Sequence, residues 1–443
     1  MYKKFYIQTF GCQMNEHDSE IMAGLLEERF YVPTKDIKEA DFILLNTCCI
    51  REKAESKVLS MLGALKKLKT KKPNLIIGVC GCMIQQKNIV PKILHAAPFV
   101  NLMLGTNNIN ALPNYLERIE RDGQPVYEII DKDSDADLKL PASREYPFKA
   151  FVNITYGCNN FCTYCIVPYV RGRERSRKKE DILEEVRALV ADGAVEIMLL
   201  GQNVDSYGND FDEPVSLASL LKEIDAIPGI ERIRFMTSHP KDFSLELIDV
   251  IKESKHICHA LHLPVQSGSN EVLRRMNRKY TRERYLEIVQ AMRQALPDAA
   301  ITTDIIVGFP GESEEQFQET VDLVETVGFD NAFSFIYSKR PGTAAASFED
   351  QIPLEVQKDR LKRLNETLSK WSLYHNKKYE GQTVKVLVEG LSENNDNMLS
   401  GRTDTAKTVI FEGDASLIGT FVNVNITTAQ TWVLKGKMEE EDQ

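Results

Sequence analysis

Residues 150–165 read AFVNITYGCNNFCTYC, and they place three cysteines on a short loop directly after a predicted strand, Ala150–Thr155. Cys158, Cys162 and Cys165 follow the spacing Cys-x-x-x-Cys-x-x-Cys. Three thiolates on one loop suit a four-iron four-sulfur cluster that keeps one iron free of protein ligands. Zinc is the alternative, but a structural zinc site needs four ligands, and no Cys or His nearby in the sequence completes the set.

Further strand–helix units follow this segment, up to a long charged helix at Leu354–Lys378. With the first strand they make six units, which suit an incomplete (β/α)6 barrel better than a barrel of eight. Loops that follow the strands form the mouth of such a barrel, so we expect the three cysteines there. The other predicted strands are Glu196–Leu200, Arg232–Thr237, Cys258–Leu263, Ile301–Val307 and Ala332–Tyr337.

A separate α/β pattern occupies residues 1–130. Short β-rich runs alternate there with amphipathic stretches, which predicts a doubly wound domain with a parallel sheet. Residues 131–147 are polar and acidic with two prolines, as is typical of a linker, and residues 148–376 form the barrel domain. The predicted strands of the first domain are Phe5–Thr9, Phe42–Asn46, Leu75–Val79 and Leu102–Leu104.

Residues 377–440 contain short alternating runs separated by Gly, Asn and Asp. This spacing predicts a small five-strand β-barrel, and Met438–Gln443 is expected to be a frayed acidic tail. The predicted strands are Thr383–Glu389, Asn397–Gly401, Thr408–Phe411, Phe421–Thr427 and Trp432–Leu434.

Composition indicates an ordinary globular protein of 443 residues with a net charge of −10. The first residues lack the apolar run of a signal peptide, and apolar stretches such as Leu75–Ile84 are too short to span a membrane. We therefore expect a cytosolic protein whose cysteines are reduced. We also expect it to be a monomer. The net charge argues against a protein coated in positive charge, yet the cation-rich runs Lys66–Lys72, Arg171–Lys179 and Arg274–Arg284 are either phosphate contacts or solvated helix faces.

A second group of cysteines lies in the first domain. Cys12, Cys48 and Cys82 each come just after a predicted strand, at the edge where open α/β sheets bind ligands. Any one of them alone is more often a buried thiol, but three at one edge favour a second metal site. On spacing alone, Cys49 and Cys80 compete for the same role.

The cysteine loop resembles the signature of the radical S-adenosylmethionine superfamily, in which an aromatic residue, here Tyr164, precedes the last cysteine. The resemblance implies that the open iron binds the amino and carboxylate groups of S-adenosylmethionine. It also implies that an electron from the cluster cleaves this cofactor to a 5′-deoxyadenosyl radical.

The segments GCQMN (11–15), NTC (46–48) and GCM (81–83) resemble the amino-terminal domain of methylthiotransferases. In that family the equivalent cysteines hold a second four-iron four-sulfur cluster, also with an open iron. On this resemblance Cys12, Cys48 and Cys82 are the ligands, whereas Cys49, Cys80 and Cys258 are structural.

The resemblance extends along essentially the whole chain, and residues 377–440 look like the TRAM RNA-binding domain. The run NTCCIREKAE (46–55) is most similar to the branch that acts on N6-isopentenyl (dimethylallyl) adenosine at tRNA position 37. This similarity implies methylthiolation of C2 of that adenosine, with a low-potential electron donor and a sulfur donor as partners. The alternatives are the threonylcarbamoyl form of the same adenosine, an aspartate of a ribosomal protein, or a non-enzymatic RNA-binding module with structural metal sites.

Contacts to the two substrates are also predicted. Arg171 and Arg173, close after the cysteine loop, either contact RNA phosphates or pair with carboxylates. We expect Tyr164 and three polar residues at strand ends, Gln202, Ser238 and Gln266, to contact S-adenosylmethionine; many superfamily members carry Glu where this chain has Gln202. No side chain is assigned as general acid or base, because no side-chain base deprotonates an unactivated aromatic C–H at neutral pH.

Overall fold

The computed structural model describes residues 2–49, 52–86, 88–130, 140–393 and 395–439. Residues 131–139 of the predicted linker, residues 440–443 of the predicted tail, and Ile50 and Arg51 of the run 46–55 lie outside the described residues. Among the helices of the described part, none is both long and apolar enough to cross a membrane.

The amino-terminal region is a parallel sheet with helices on both faces. Its strand order is β2-β1-β3-β4-β5-β6, which confirms the predicted doubly wound fold. The elements are β1 (Lys4–Phe10), α1 (Gln13–Glu27), β2 (Val32–Pro33), β3 (Phe42–Thr47), α2 (Glu52–Lys71), β4 (Ile76–Cys80), α3 (Ile89–Ala96), β5 (Leu102–Leu104), a 3-10 helix (Thr106–Ala111), α4 (Leu112–Asp122) and β6 (Val126–Glu128).

Strand β3 explains why this sheet is buried on both faces. Phe42 and Leu44 pack into one core with α1 and α4. Ile43 and Leu45 point the other way, into a second core with α2 and α3. A continuous apolar run is what a central parallel strand requires, since both of its faces are covered.

The central region is an open barrel of six parallel strands. Strands β11-β10-β7 and β12-β13-β14 form two sheets, which meet at a parallel bridge between Ile233 and Ile257. The elements are β7 (Lys149–Asn153), β8 (Thr155–Tyr156), α5 (Val167–Val170), β9 (Arg175–Ser176), α6 (Lys179–Ala191), β10 (Glu196–Leu200), a 3-10 helix (Val204–Ser206), α7 (Leu217–Asp225), β11 (Arg232–Phe235), α8 (Leu245–Glu253), β12 (Ala260–His262), α9 (Asn270–Arg275), α10 (Arg282–Ala295), β13 (Ala300–Val307), α11 (Glu314–Val327), β14 (Asn331–Ile336), a 3-10 helix (Ala344–Ser347) and α12 (Leu354–Lys377).

The carboxyl-terminal region is a closed barrel with the strand order β15-β16-β17-β19-β18. The predicted fifth strand, Trp432–Leu434, was misplaced. The chain turns between Gln430 and Val433, whose backbone groups hydrogen-bond at 2.8 Å, so the strand starts only at Leu434. The elements are β15 (Thr383–Ser392), β16 (Asn395–Arg402), β17 (Thr408–Glu412), a 3-10 helix (Ala415–Leu417), β18 (Phe421–Ala429) and β19 (Leu434–Met438).

Two arginines of β11 fasten this small barrel to the open barrel. Arg232 donates to the carbonyls of Lys385 and Arg402 at 3.0 and 2.8 Å. Arg234 donates to the carbonyl of Thr403 at 2.8 Å. Arg232 is the first residue of β11, and the N–H of His259, just before β12, donates to Asp404 of the small barrel at 3.0 Å. The small barrel therefore caps the amino-terminal ends of these strands, away from the loops that follow them.

Candidate functional site

The cysteine loop, residues 157–165, begins at a close contact that only glycine allows. Gly157 has φ +75°, and a Cβ there would lie 2.1 Å from the carbonyl oxygen of Arg173. Cys158 N donates to the carbonyl of Gly172 at 3.2 Å. The loop is therefore held against residues 172–173, which return from α5.

The three cysteines of this loop lie at the mouth of the open barrel, as predicted. Cys162 is buried, and its Sγ lies 3.5 Å from Nη1 of Arg278, which is also buried. Burial raises the pKa of Cys158 to about 11 and that of Cys165 to about 12. Two of the three are therefore neutral thiols at pH 7 until a metal displaces their protons.

Cys12 and Cys48 lie at the carboxyl edge of the amino-terminal sheet. They follow the adjacent strands β1 and β3, which flank the point where the strand order reverses and doubly wound folds bind ligands. The hydrogen bond with Cys48 lowers the pKa of Cys12 to about 6, helped by the charge of Arg171 and the backbone N–H of Asn15. A thiolate is the form that binds metal.

Cys82 follows β4 at the same edge and lies against Arg171. Arg171 donates from Nε to Cys82 Sγ at 3.1 Å and from Nη2 to Asp18 Oδ2 at 2.6 Å. A hydrogen bond from Cys49 and the charge of Arg171 lower the pKa of Cys82. The prediction that Arg171 contacts RNA phosphate is corrected, since its guanidinium is buried and paired with a carboxylate.

The cysteines that were not chosen as cluster ligands differ in their surroundings. Cys80 Sγ lies 3.7 Å from Met22 Sδ inside the apolar core, and burial raises its pKa, as a structural thiol requires. Cys258 is also buried, and burial raises its pKa. Cys49 differs because it lies beside Cys82 at the site itself, and the choice of Cys48 over Cys49 stays a prediction.

The two groups of cysteines face each other. Cys49 and Cys82 pack in one small cluster with Ile166, which directly follows Cys165, and with Val170 at the end of α5. In the described part of the chain, no three His, Cys, Asp or Glu side chains converge on a point that would hold a single metal ion.

Of the four predicted cofactor contacts, Tyr164 lies within the cysteine loop and Gln202 contacts its first residue. Gln202 accepts through Oε1 from the backbone N–H of Gly157. Ser238 donates to Asp205 at 3.1 Å. Tyr164 is packed in an apolar cluster with Phe309 and other residues, and burial raises its pKa.

Gln266 has a buried polar atom that could bind a polar ligand. Its Oε1 is buried and has no hydrogen-bond partner within the described residues. An unsatisfied buried acceptor costs about 1–3 kcal/mol, so such a group at a mouth indicates a partner that binds there. An ammonium group, as in the methionine part of S-adenosylmethionine, would satisfy it.

Backbone strain concentrates at the same mouth. Among the described non-glycine residues, positive φ occurs at Phe161, Thr237, Gln266 and Asn277, with values of +46°, +67°, +68° and +58°, and otherwise at two residues elsewhere. Such strain persists where the surroundings fix it, typically at functional sites.

Sequence patterns missed three residues of the site. Asp205 accepts from Ser238 and from the N–H of His239 at 2.8 Å, and burial raises its pKa to about 7. Its place just after Gln202 was the available signal. Arg278 was hidden in the cation-rich run 274–284, and Asp18 meets Arg171 only in three dimensions.

Comparisons with family models cover all three regions. The model of the Radical SAM superfamily matches residues 152–324, that of the Uncharacterized protein family UPF0004 matches residues 4–105, and that of the TRAM domain matches residues 377–438. A solved radical S-adenosylmethionine methyltransferase, TsrM from Kitasatospora setae, shares the fold with a TM-score of 0.57 at 12% identity, over 78% of this chain and 77% of that one. The fold and the cysteine loop are those of a radical S-adenosylmethionine enzyme.

Comparison with individual proteins shows which group of radical S-adenosylmethionine enzymes this chain resembles. The tRNA-2-methylthio-N(6)-dimethylallyladenosine synthase of Clostridium tetani is 53% identical over 98% of this chain and 96% of that protein. The protein of the same name from Thermoanaerobacter pseudethanolicus is 52% identical over 98% of this chain and 93% of its own length. The chain belongs to the family of the tRNA-2-methylthio-N(6)-dimethylallyladenosine synthases.

Proposed function

We propose that this protein inserts sulfur and a methyl group at C2 of N6-dimethylallyladenosine at position 37 of tRNA. The observation that carries the proposal is the arrangement of two cysteine groups, in which Cys82 and Cys49 pack against Ile166 and Val170 next to Cys165. One group suits the generation of a radical and the other suits holding the sulfur to be transferred. The activity in the names of the full-length relatives supports the same assignment.

The cluster ligands are Cys158, Cys162 and Cys165 at the barrel mouth, and Cys12, Cys48 and Cys82 at the sheet edge. When bound, the two four-iron clusters would supply the electron and hold the sulfur to be transferred, and S-adenosylmethionine would supply the radical and the methyl group. The protein itself places the cysteine ligands and puts a positive charge beside them. Arg278 lies 3.5 Å from Cys162 Sγ and Arg171 lies 3.1 Å from Cys82 Sγ, so each site has a buried cation within hydrogen-bond distance of a cysteine sulfur.

Residues at the mouth hold S-adenosylmethionine. Gln266 offers its free amide oxygen to the amino group, and Gln202 fixes the start of the cysteine loop through Gly157. Ser238 and the apolar ring of Tyr164 complete the contacts. No side chain of the site acts as general acid or base.

Each of the three regions has its own role in the reaction. Residues 1–130 carry the second cluster, residues 131–147 link this domain to residues 148–376, and residues 377–440 bind RNA with the help of Arg173. The protein acts as a cytosolic monomer that receives an electron from a low-potential donor and sulfur from a separate sulfur donor. The threonylcarbamoyl adenosine and the ribosomal aspartate are not proposed, because relatives 51–53% identical over the full chain carry the dimethylallyladenosine name.

Nucleoside mass spectrometry of tRNA tests this function. Cells that lack the gene should lose the 2-methylthio form and accumulate N6-dimethylallyladenosine. The wild-type gene should restore the modified nucleoside, whereas the Cys158→Ala variant should not. An unchanged nucleoside profile in the deletion strain would refute the proposal.

A further inference from the structure

We propose that Phe161, Tyr169 and Arg173 form a platform on which an unpaired base of the RNA stacks next to the target adenosine. The proposal rests on the proposed function, which brings a tRNA loop to this mouth. It assigns Arg173 a stacking role in place of the phosphate contact that the sequence predicted.

The side chains of Tyr169 and Arg173 both pack against the ring of Phe161. The rings of Phe161 and Tyr169 meet edge to face, with centroids 6.0 Å apart and an interplanar angle of 88°. Cζ of Arg173 lies 4.3 Å from the centroid of the Phe161 ring. Tyr169 is 53% exposed and Arg173 is also exposed, so an aromatic ring and a guanidinium plane both face the solvent.

The backbone that carries two of these side chains is held in place before any ligand binds. Phe161 has φ +46°, and its carbonyl accepts from Nδ2 of Asn277 at 3.0 Å. Arg173 is fixed by the close approach of its carbonyl to Gly157, and the next N–H, that of Glu174, donates to Asn159 Oδ1 at 3.3 Å. Binding to a segment whose backbone is already ordered avoids part of the entropy cost of ordering a loop.

The position of the platform beside the cysteine loop, together with its aromatic and cationic groups, favours an RNA base as the ligand. Phe161 immediately precedes Cys162, so a group stacked there lies beside the loop that the target nucleoside must reach. Single-stranded RNA loops are recognised by bases that splay out and stack on aromatic rings and Arg guanidinium planes. A cation at the platform also suits a polyanion better than it suits an apolar partner.

An anticodon stem-loop RNA with 2-aminopurine in place of a base next to the target adenosine tests the platform. Stacking quenches the fluorescence of 2-aminopurine, so wild-type protein and the Tyr169→Phe variant should both quench it. The Tyr169→Ala variant should lose the quenching and bind the stem-loop roughly five- to hundredfold more weakly, as expected for the loss of one base–aromatic stack. Its salt dependence of binding should stay unchanged, because no charge is removed.

A matched control is available on α12, where Tyr374 is 55% exposed and Lys378 Nζ lies 4.7 Å from its ring centroid. The Tyr374→Ala variant should bind and quench like wild type. Equal affinity and quenching in wild type and Tyr169→Ala would overturn the platform but leave the proposed function standing. A wild-type protein that does not bind the stem-loop at all would overturn both.

Discussion

The guanidinium of Arg171 lies 2.6 Å from the carboxylate of Asp18, and both side chains are buried. Asp18 belongs to α1 of the amino-terminal sheet, whereas Arg171 directly follows α5 at the barrel mouth. The pair therefore joins the two regions at the point where their cysteines face each other. The same arginine reaches Cys82 Sγ, so one side chain serves both the interface and the second site.

We predict that Arg171→Met destabilises the protein by about 3–5 kcal/mol, because it leaves the carboxylate of Asp18 buried without a partner. Chemical denaturation of the apoprotein measures the loss. The double variant Arg171→Met with Asp18→Asn is the control, and it should recover part of the stability because no buried charge remains. A double variant less stable than Arg171→Met would contradict this account of the pair.

Gly157→Ala should disable the cysteine loop, since the new Cβ would lie 2.1 Å from the carbonyl oxygen of Arg173 at φ +75°. Iron bound after anaerobic reconstitution should fall from about eight to about four per chain. Gly193→Ala is the matched control, because φ there is +93° but nothing lies within 4 Å of the added Cβ. Full iron content in Gly157→Ala would show that the loop does not depend on this contact.

Asp205 should make folding stability depend on pH. Burial raises its pKa from 3.8 to about 7, so the folded state holds a proton that the unfolded state releases between these values. This contribution to stability is fully present below pH 4 and is lost as the pH rises through 7, at up to about 1.4 kcal/mol per pH unit. Asp205→Asn should remove that component from denaturation curves measured between pH 5 and pH 8. If wild type and Asp205→Asn showed the same dependence of stability on pH, this role of Asp205 would be contradicted.

Sequence alone predicted the fold because its signals are periodic and local. The buried run of β3 and the strand–helix alternation follow directly from residue patterns, and the cysteine loop lies within a single segment. The misplaced fifth strand of the small barrel shows the limit of such patterns. Trp432 and Val433 look like strand residues, but the backbone needs them for the turn that precedes β19.

Contacts between the regions could not be predicted from local sequence patterns. The sequence left Arg171 between a phosphate contact and a carboxylate pair, because its partner Asp18 lies 153 residues away and no local pattern links them. The position of Cys49 beside Cys82 likewise depends on how the loops after β3 and β4 converge. Arg278 was missed because its burial, rather than its spacing, makes it part of the site, and Asp205 was missed because its partners Ser238 and His239 lie 33 and 34 residues away.

The central claim is that two separate cysteine triplets each hold a four-iron cluster, and iron analysis after anaerobic reconstitution tests it most directly. Wild type should bind about eight iron per chain. The Cys158, Cys162 and Cys165 to Ala triple variant should bind about four, and so should the Cys12, Cys48 and Cys82 triple variant. Cys80→Ala should keep all of the iron. Loss of all iron in either folded triple variant, or stoichiometric zinc in place of iron, would contradict the account.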